Sequence, residues 1–284
     1  MKFERIYQLP PLPPRPIDGH KGMFGRVLIV GGNNAMIGAP VLAGTAVLRC
    51  GSGLVQIAVP QAILHAALSI TPELIGLGLR PGARQTDFIT AAKTADAIAV
   101  GPGMGQSVAA RSWLMRLIAM DKPMVIDADA INMLAAQKRW PTAFKARAIL
   151  TPHPGEMKRL ARLLGRSAVP ADDAGRIKIA LTASRSFKQI IVLKGHRTVV
   201  TDGKRVYVNR SGNSTLAKAG AGDVLTGIAV SLLGQGMERF EAACAAVHIH
   251  GRAGEIAGQR FGQRCALARE VIDAIPQAIA RYDV

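Results

Sequence analysis

The sequence predicts an α/β fold with a mostly parallel central sheet and helices on both faces. Three observations predict it. Short apolar runs of strand length recur along the chain, most of them end in glycine or polar residues, and segments of helical length lie between them. Alternation of strand and helix builds parallel sheets, whose strands are buried on both sides and read as continuous apolar runs. In such sheets ligands bind beyond the carboxyl ends of the strands. Every motif singled out below falls at that edge.

The chain opens on MKFERIYQLPPLPPRP. Residues 1–20 read as a proline-rich extended arm; this stretch lacks the apolar core of a signal peptide. Residues 21–284 read as a single domain without an internal linker or repeat. Arg26 to Val30 is the first buried run and stops at Gly31-Gly32. Ala39 to Cys50 reads as a helix of small apolar residues, and Leu54 to Val59 as a strand ended by Pro60. Ala97 to Val100 runs into Gly101-Pro102-Gly103-Met104-Gly105, with a helix near Arg111 to Met120. Pro123 to Ile126 runs into Asp127-Ala128-Asp129, and Ala148 to Leu150 into Thr151-Pro152-His153-Pro154-Gly155-Glu156. Gln189 to Leu193 runs into Lys194-Gly195. Thr198 to Val208 breaks the pattern: Asp202-Gly203 marks a hairpin turn, which adds antiparallel strands at one sheet edge. Helices then follow over Val224 to Leu233, Phe240 to Gln259 and Ala266 to Ile279.

Composition bounds the function. Hydrophobic residues make up 49% of the 284 and charged residues 19%, which excludes global disorder. Lys plus Arg outnumber Asp plus Glu by 36 to 19, a net charge of +17 that attracts polyanions. The basic residues are dispersed and lack interleaved aromatics, so nucleic-acid binding is not expected. Cys50, Cys244 and Cys265 fit neither a disulfide framework nor a zinc site; they read as buried free thiols in a reducing, cytoplasmic setting. The longest apolar stretch, Gly53 to Ile70, is broken by Gln56, Pro60, Gln61 and His65, so no membrane span is expected.

Each motif has a chemical and a structural reading. Gly220-Ala221-Gly222-Asp223 opens an apolar helix. Converging amides of Gly220, Ala221 and Gly222 at a helix N-terminus form an anion hole, and Asp223 is either a proton acceptor or an ordinary N-cap. Gly101 to Gly105 is not the dinucleotide fingerprint, because Gln106 stands at the final glycine position. It is a close approach to a ligand or a tight turn. Asp127 and Asp129 could hold Mg²⁺ through water or cap the next helix, a cap being preferred for Asp129. His153, fixed between prolines, orients a ligand or is structural; Glu156 caps the helix or places a metal-bound water. Lys194 can reach a phosphate as a point charge, with Arg197 and Thr198 extending the contact, or be solvated at the surface. His248 and His250 diverge on a helix and are not expected to share a metal.

Taken together and in order, these motifs resemble the NAD(P)H-hydrate dehydratases of the ribokinase-like superfamily. Lys21-Gly22, Gly25, Val27 to Gly32, Gly38-Ala39, Gly51 to Val55, Gly101 to Gly105, Asp127 to Asn132, Thr151 to Glu156, Leu193 to Gly195 and Gly220 to Gly227 carry the likeness, from Lys21 to Pro276. The resemblance implies a three-layer α/β/α sandwich. It implies repair of hydrated NADH and NADPH (NADHX and NADPHX): removal of water from the S-epimer, coupled to hydrolysis of ADP or ATP, with Mg²⁺. Ala39, Gly105, His153 and Asp223 then contact the hydrated dinucleotide, and Lys194, Gly195, His196, Arg197, Thr198 and Gly222 the nucleotide. Where relatives carry Gly-Gly-Thr-Gly-Asp, this chain has Ala219-Gly220-Ala221-Gly222-Asp223, which loses one hydroxyl donor and keeps the amides. The resemblance further implies a homotetramer, with the Ala39 to Cys50 helix between subunits, and a functional pairing with a separate epimerase. The metal ligands are not identified by it.

The implied mechanism makes Asp223 the catalytic residue: it accepts the hydrate's hydroxyl proton, or orients that hydroxyl, as the oxygen attacks the donor's terminal phosphate. The rivals are a vitamin-precursor kinase of the same superfamily and a basic binding protein.

Overall fold

The apolar runs become strands. In chain order the elements are β1 (Glu4–Ile6), β2 (Arg26–Val30), α1 (Gly38–Arg49), β3 (Leu54–Pro60), α2 (Leu64–Ile70), β4 (Ile75–Leu79), α3 (Thr86–Thr94), β5 (Ala97–Val100), α4 (Val108–Ile118) and β6 (Pro123–Ile126). There follow α5 (Ala128–Ala135), β7 (Arg147–Leu150), α6 (Pro154–Arg162), α7 (Asp173–Phe187), β8 (Ile190–Leu193), β9 (Val199–Thr201), β10 (Arg205–Val208), α8 (Ala221–Gly234), α9 (Arg239–Phe261) and α10 (Ala268–Ala280). The computed structural model describes residues 2–80, 86–166 and 168–282. Residue 1 of the expected arm and residues 283–284 of the expected domain lie outside the described residues.

The strands form one sheet in the order β1-β10-β9-β8-β7-β6-β5-β2-β3-β4. Among the described residues only β9 runs against its neighbours, pairing antiparallel with β8 and β10. The hairpin sits toward one end of the sheet as expected, and β1, from the arm, pairs parallel outside it, Arg5 opposite Val206. The arm is held elsewhere too. Arg15 Nη1 donates to the Gly51 carbonyl at 2.7 Å, its guanidinium lies 3.8 Å from the Phe24 ring centroid, and Tyr282 Oη donates to the Pro10 carbonyl at 2.8 Å.

Alternate strand residues feed two cores. Val27 and Ile29 join the side chains of α1, α8, α9 and α10; Leu28 and Val30 join those of α3 to α7. This is the expected three-layer arrangement. A fully buried Leu or Ile contributes about 2 kcal/mol of transfer free energy, and with few aromatics the two cores depend on many such residues.

Close approach tightens the first core. A Cβ on Gly227 of α8 would lie 2.3 Å from the Ala43 carbonyl oxygen of α1, so the two backbones meet where only glycine fits. Val41, Ala43, Ala46 and Val47 of α1 are buried within the chain's own core. The thiols differ from expectation: Cys50 and Cys244 are buried, but Cys265 is exposed. Burial pushes the Cys50 thiol up to about 12. Among the described residues no helix is long and apolar enough to cross a membrane.

Candidate active site

The carboxyl ends of β5 to β8 bring the predicted motifs together around a buried ion pair. Asp127 follows β6, and its backbone N–H donates to the Val100 carbonyl at 3.1 Å. Lys194 follows β8 and donates its backbone N–H to the Pro152 carbonyl at 2.9 Å. Lys194 Nζ lies 2.7 Å from Asp127 Oδ1 and 3.9 Å from Glu156 Oε2. Thr226 Oγ1 donates to Asp127 Oδ2 at 2.8 Å. Surface solvation of Lys194 is thereby excluded: its side chain is 18% exposed, and that of Asp127 2%. Burial opposes the lysine's charge, but Asp127 and Glu156, with Asp223 beyond them, overcome it and hold the ammonium above its ordinary pKa.

The carboxylates of Asp127 and Asp129 do not form a pair facing a cation. Both Asp127 oxygens are occupied, and Asp129 Oδ2 accepts from the Gly105 N–H at 2.8 Å. Asp129 therefore ties the loop after β5 to α5 rather than capping its own helix. Among the described residues no group of three or more His, Cys, Asp or Glu is placed to hold a metal ion.

At α8 the N-cap is Gly220, left-handed at φ +86, which supplies no side-chain cap. Only Gly takes this conformation at low cost. Ala221 N donates to the Lys218 carbonyl at 3.3 Å and Val224 N to the Gly220 carbonyl at 3.1 Å. The amides of Gly222 and Asp223 fall in the first turn, where a helix has no internal acceptor for them. Of the predicted anion hole, Ala221 is thus partly committed and Gly222 is available. Asp223 is not the N-cap but the third helical residue. Burial and the neighbouring Asp127 charge, partly offset by Lys194, push its carboxyl up to about 7. A Cβ on Gly222 would lie 3.6 Å from Lys194 Nζ, so the anion loop and the ion pair share one centre.

A cavity of about 600 Å³ opens on one side of this centre. Lys194, Gly195, His196, Arg197, Thr198 and Gly222, the predicted nucleotide contacts, all line it. Asn209, Ser211 to Ser214, Leu216 and Ala217, with Val247 and His250 of α9, close the far wall. Arg176 of α7, which sequence reasoning missed, shapes the loop. Its guanidinium donates to the carbonyls of Leu193 at 3.2 Å, Lys194 at 3.3 Å and Arg197 at 3.4 Å, and to that of His196. Asp173 holds Arg197 at 2.9 Å, and Thr198 Oγ1 donates to the Gly195 carbonyl at 2.9 Å. No local sequence signal joins Arg176 to a loop so distant in the chain. Thr226 and His250 were missed likewise. Burial, set against a backbone hydrogen bond with Ala221, pushes His250 down to about 4 and keeps it neutral.

The other predicted contacts lie outside that cavity. Asn33 Nδ2 donates to the Gly103 carbonyl at 2.9 Å, and a Cβ on Gly103 would lie 2.9 Å from the Ala39 Cβ. Ala39, in the first turn of α1, thus stands close to the loop after β5 that holds Gly105. His153 caps α6: its Nδ1 accepts from Gly155 N at 3.0 Å, while Glu156 Oε2 accepts from His153 N at 2.8 Å. Burial, followed by the charges of Lys194 and Arg159, lowers the imidazole's pKa.

Comparison with known proteins fits this geometry. A family model described as NAD(P)H-hydrate dehydratase matches residues 27–277. The chain is 40% identical over 282 residues to the bifunctional NAD(P)H-hydrate repair enzyme Nnr of Moorella thermoacetica, covering 96% of this chain and 52% of that protein. It thus spans about half the length of the bifunctional relatives it matches. It is also 40% identical over 268 residues to the ADP-dependent (S)-NAD(P)H-hydrate dehydratase of Neisseria meningitidis, covering 92% of this chain and 85% of that one. Among solved structures it superposes on the ADP/ATP-dependent NAD(P)H-hydrate dehydratase of Bacillus subtilis, co-crystallised with ATP/Mg²⁺. The TM-score there is 0.81 at 30% identity, covering 95% and 94% of the two chains. A hydroxyethylthiazole kinase from Pyrococcus horikoshii, with TM-score 0.65 at 15% identity, shares the ribokinase-like fold alone.

Proposed function

Because the chain belongs to the NAD(P)H-hydrate dehydratase family, we propose that it removes water from the S-epimers of NADHX and NADPHX, with ADP or ATP as phosphoryl donor. The observation that carries this reading is Asp223. It is a buried carboxyl pushed up to about 7 beside Asp127 and Lys194, one residue past Gly222, which lines the cavity. A base with a pKa near neutrality is suited to proton transfer at physiological pH.

Hydroxide is a poor leaving group, so the hydroxyl must first become a phosphate ester. Asp223 accepts the hydroxyl proton as that oxygen attacks the donor's terminal phosphorus and the bond to the donor's bridging oxygen breaks. The amides of Gly222 and Asp223 stabilise the transferring phosphoryl group, and Lys194 sets the positive potential behind them. The enamine nitrogen of the reduced ring then expels phosphate, and loss of a ring proton restores NADH or NADPH. The products are the repaired cofactor, AMP (or ADP) and phosphate. Gly195 to Thr198 hold the nucleotide; Ala39, Gly105 and His153 hold the dinucleotide. The described residues form no metal cage, so Mg²⁺ would be carried by the donor's own phosphates, and no residue here is assigned to it. A homotetramer, a cytoplasmic setting and pairing with an epimerase activity that supplies the S-form belong to the same proposal.

The test follows the absorbance of the reduced nicotinamide ring. Adding hydrate with ADP, and in parallel with ATP, should restore it. Lack of recovery, with phosphorylation of a vitamin-type alcohol instead, would replace this reading with the kinase.

A further inference from the structure

A second, smaller pocket of about 250 Å³ lies beside the dinucleotide loops and apart from the nucleotide cavity. It is lined by Gln106, Asn132, Ala135, Ala136, Arg159 and Arg162. Gln106 directly follows Gly105, and Arg159 and Arg162 stand on α6, the helix that His153 opens. The two arginines are three residues apart, so their like charges share one helix face. Among the described residues no carboxylate comes within ion-pair distance of either. Arg159 Nη1 instead donates to Asn132 Oδ1 at 3.0 Å. A neutral acceptor fixes the guanidinium's orientation without an ion pair, and its charge is felt by the Glu156 carboxylate of the same helix. Its field already reaches the site, since it helps lower the His153 pKa. Two guanidinium groups without an ion-pair partner among the described residues line one concavity, one of them held by an amide, and suit a phosphate accepted in fork geometry.

We propose that Arg159 and Arg162, with Asn132 as the positioning residue for Arg159, bind a phosphate of the hydrated dinucleotide. The inference rests on the dehydratase reading for its ligand. The dinucleotide offers two phosphate sources, the bridging diphosphate and, in NADPHX alone, the 2′-phosphate. Arg159 and Arg162 stand in the last turn of α6; charges placed only to complement that helix end would leave substrate affinity untouched, and the kinetics decide between the two.

Steady-state kinetics of the double variant Arg159→Ala/Arg162→Ala and of Arg159→Lys, on NADHX and NADPHX, tests it. The double variant should raise the hydrate KM about tenfold, the loss of a charge-assisted contact, with the KM for ADP unchanged. Arg159→Lys, which keeps the charge and loses the fork, should fall between. An equal loss on both hydrates assigns the diphosphate; a loss confined to NADPHX assigns the 2′-phosphate. An unchanged hydrate KM, or a parallel rise for ADP, overturns the proposal. Fluorescence titration with NADPH gives a readout independent of turnover. If the unsubstituted chain converts neither hydrate, the dehydratase reading fails by itself. The subsite still stands if NADPH binds more weakly to the double variant, and falls if it does not.

Discussion

Two helices open onto the active centre with an acidic residue in the same third position: Glu156 in α6 and Asp223 in α8. Burial raises both carboxyls, and both feel Lys194 and Asp127. Their caps differ. At α6 the His153 side chain accepts from Gly155 N while the Glu156 carboxylate accepts from His153 N, so the acid is consumed by the helix cap. At α8 a glycine takes the cap position without a side chain, and the acid is left to face the site. Sequence position alone does not separate a structural carboxylate from a chemical one; the residue at the cap decides it.

Replacing each acid by its amide is the strongest way to break that comparison. Asp223→Asn should lower kcat about 10³-fold or more, since the proton acceptor is gone, while ADP still binds in a direct titration. The same change should stabilise the fold at high pH. A carboxyl whose folded pKa is raised gives its full stabilisation below its unfolded pKa and loses it as pH rises through the folded value, here between about 4 and about 7. Chemical denaturation at pH 8 should therefore find Asp223→Asn more stable than the unsubstituted chain by ~4 kcal/mol, with the advantage gone at pH 4. In the unsubstituted enzyme kcat should climb with pH through about 7.

Lys194→Met removes the charge common to both helices. Asp127 is then buried without its partner, at a cost of about 3 kcal/mol in urea denaturation. The kcat–pH profile should move to higher pH, because Lys194 is the neighbour that lowers the Asp223 pKa. An unmoved profile would separate Lys194 from the chemistry.

Glu156→Gln sharpens the contrast by its smallness. An amide oxygen can still accept from His153 N, as capping boxes use Gln as well as Glu. Stability should fall by less than about 1 kcal/mol, and kcat should change far less than in Asp223→Asn.

Much of this was legible beforehand because strand ends announce themselves. Buried runs stopping at Gly31, Gly101, Asp127, Thr151 and Lys194 placed the motifs on one edge of the sheet. Two strands escaped notice for physical reasons: β4 reads Ile-Gly-Leu-Gly-Leu, where glycine dilutes the apolar signal, and β1 has only three residues, two of them charged. At the site, residue types were readable but pairings were not. Asp127 looked like half of a metal pair until Lys194 and Thr226, distant in the chain, were found on its two oxygens. Arg176 carries no motif at all; its importance lies in four carbonyls that only the folded loop brings together.

The parallel pairing of β1 with β10 joins Arg5 to Val206. During synthesis the first of these segments emerges early and has nothing to pair with until the hairpin follows. This closure spans most of the chain, the kind of non-local contact that forms slowly. Until then the outer side of β10 is an unprotected strand edge, a template for a neighbouring chain. The arm's strand thus covers the outer side of β10 only after the hairpin has formed, and it moves the sheet edge to a strand of three residues, two of them charged.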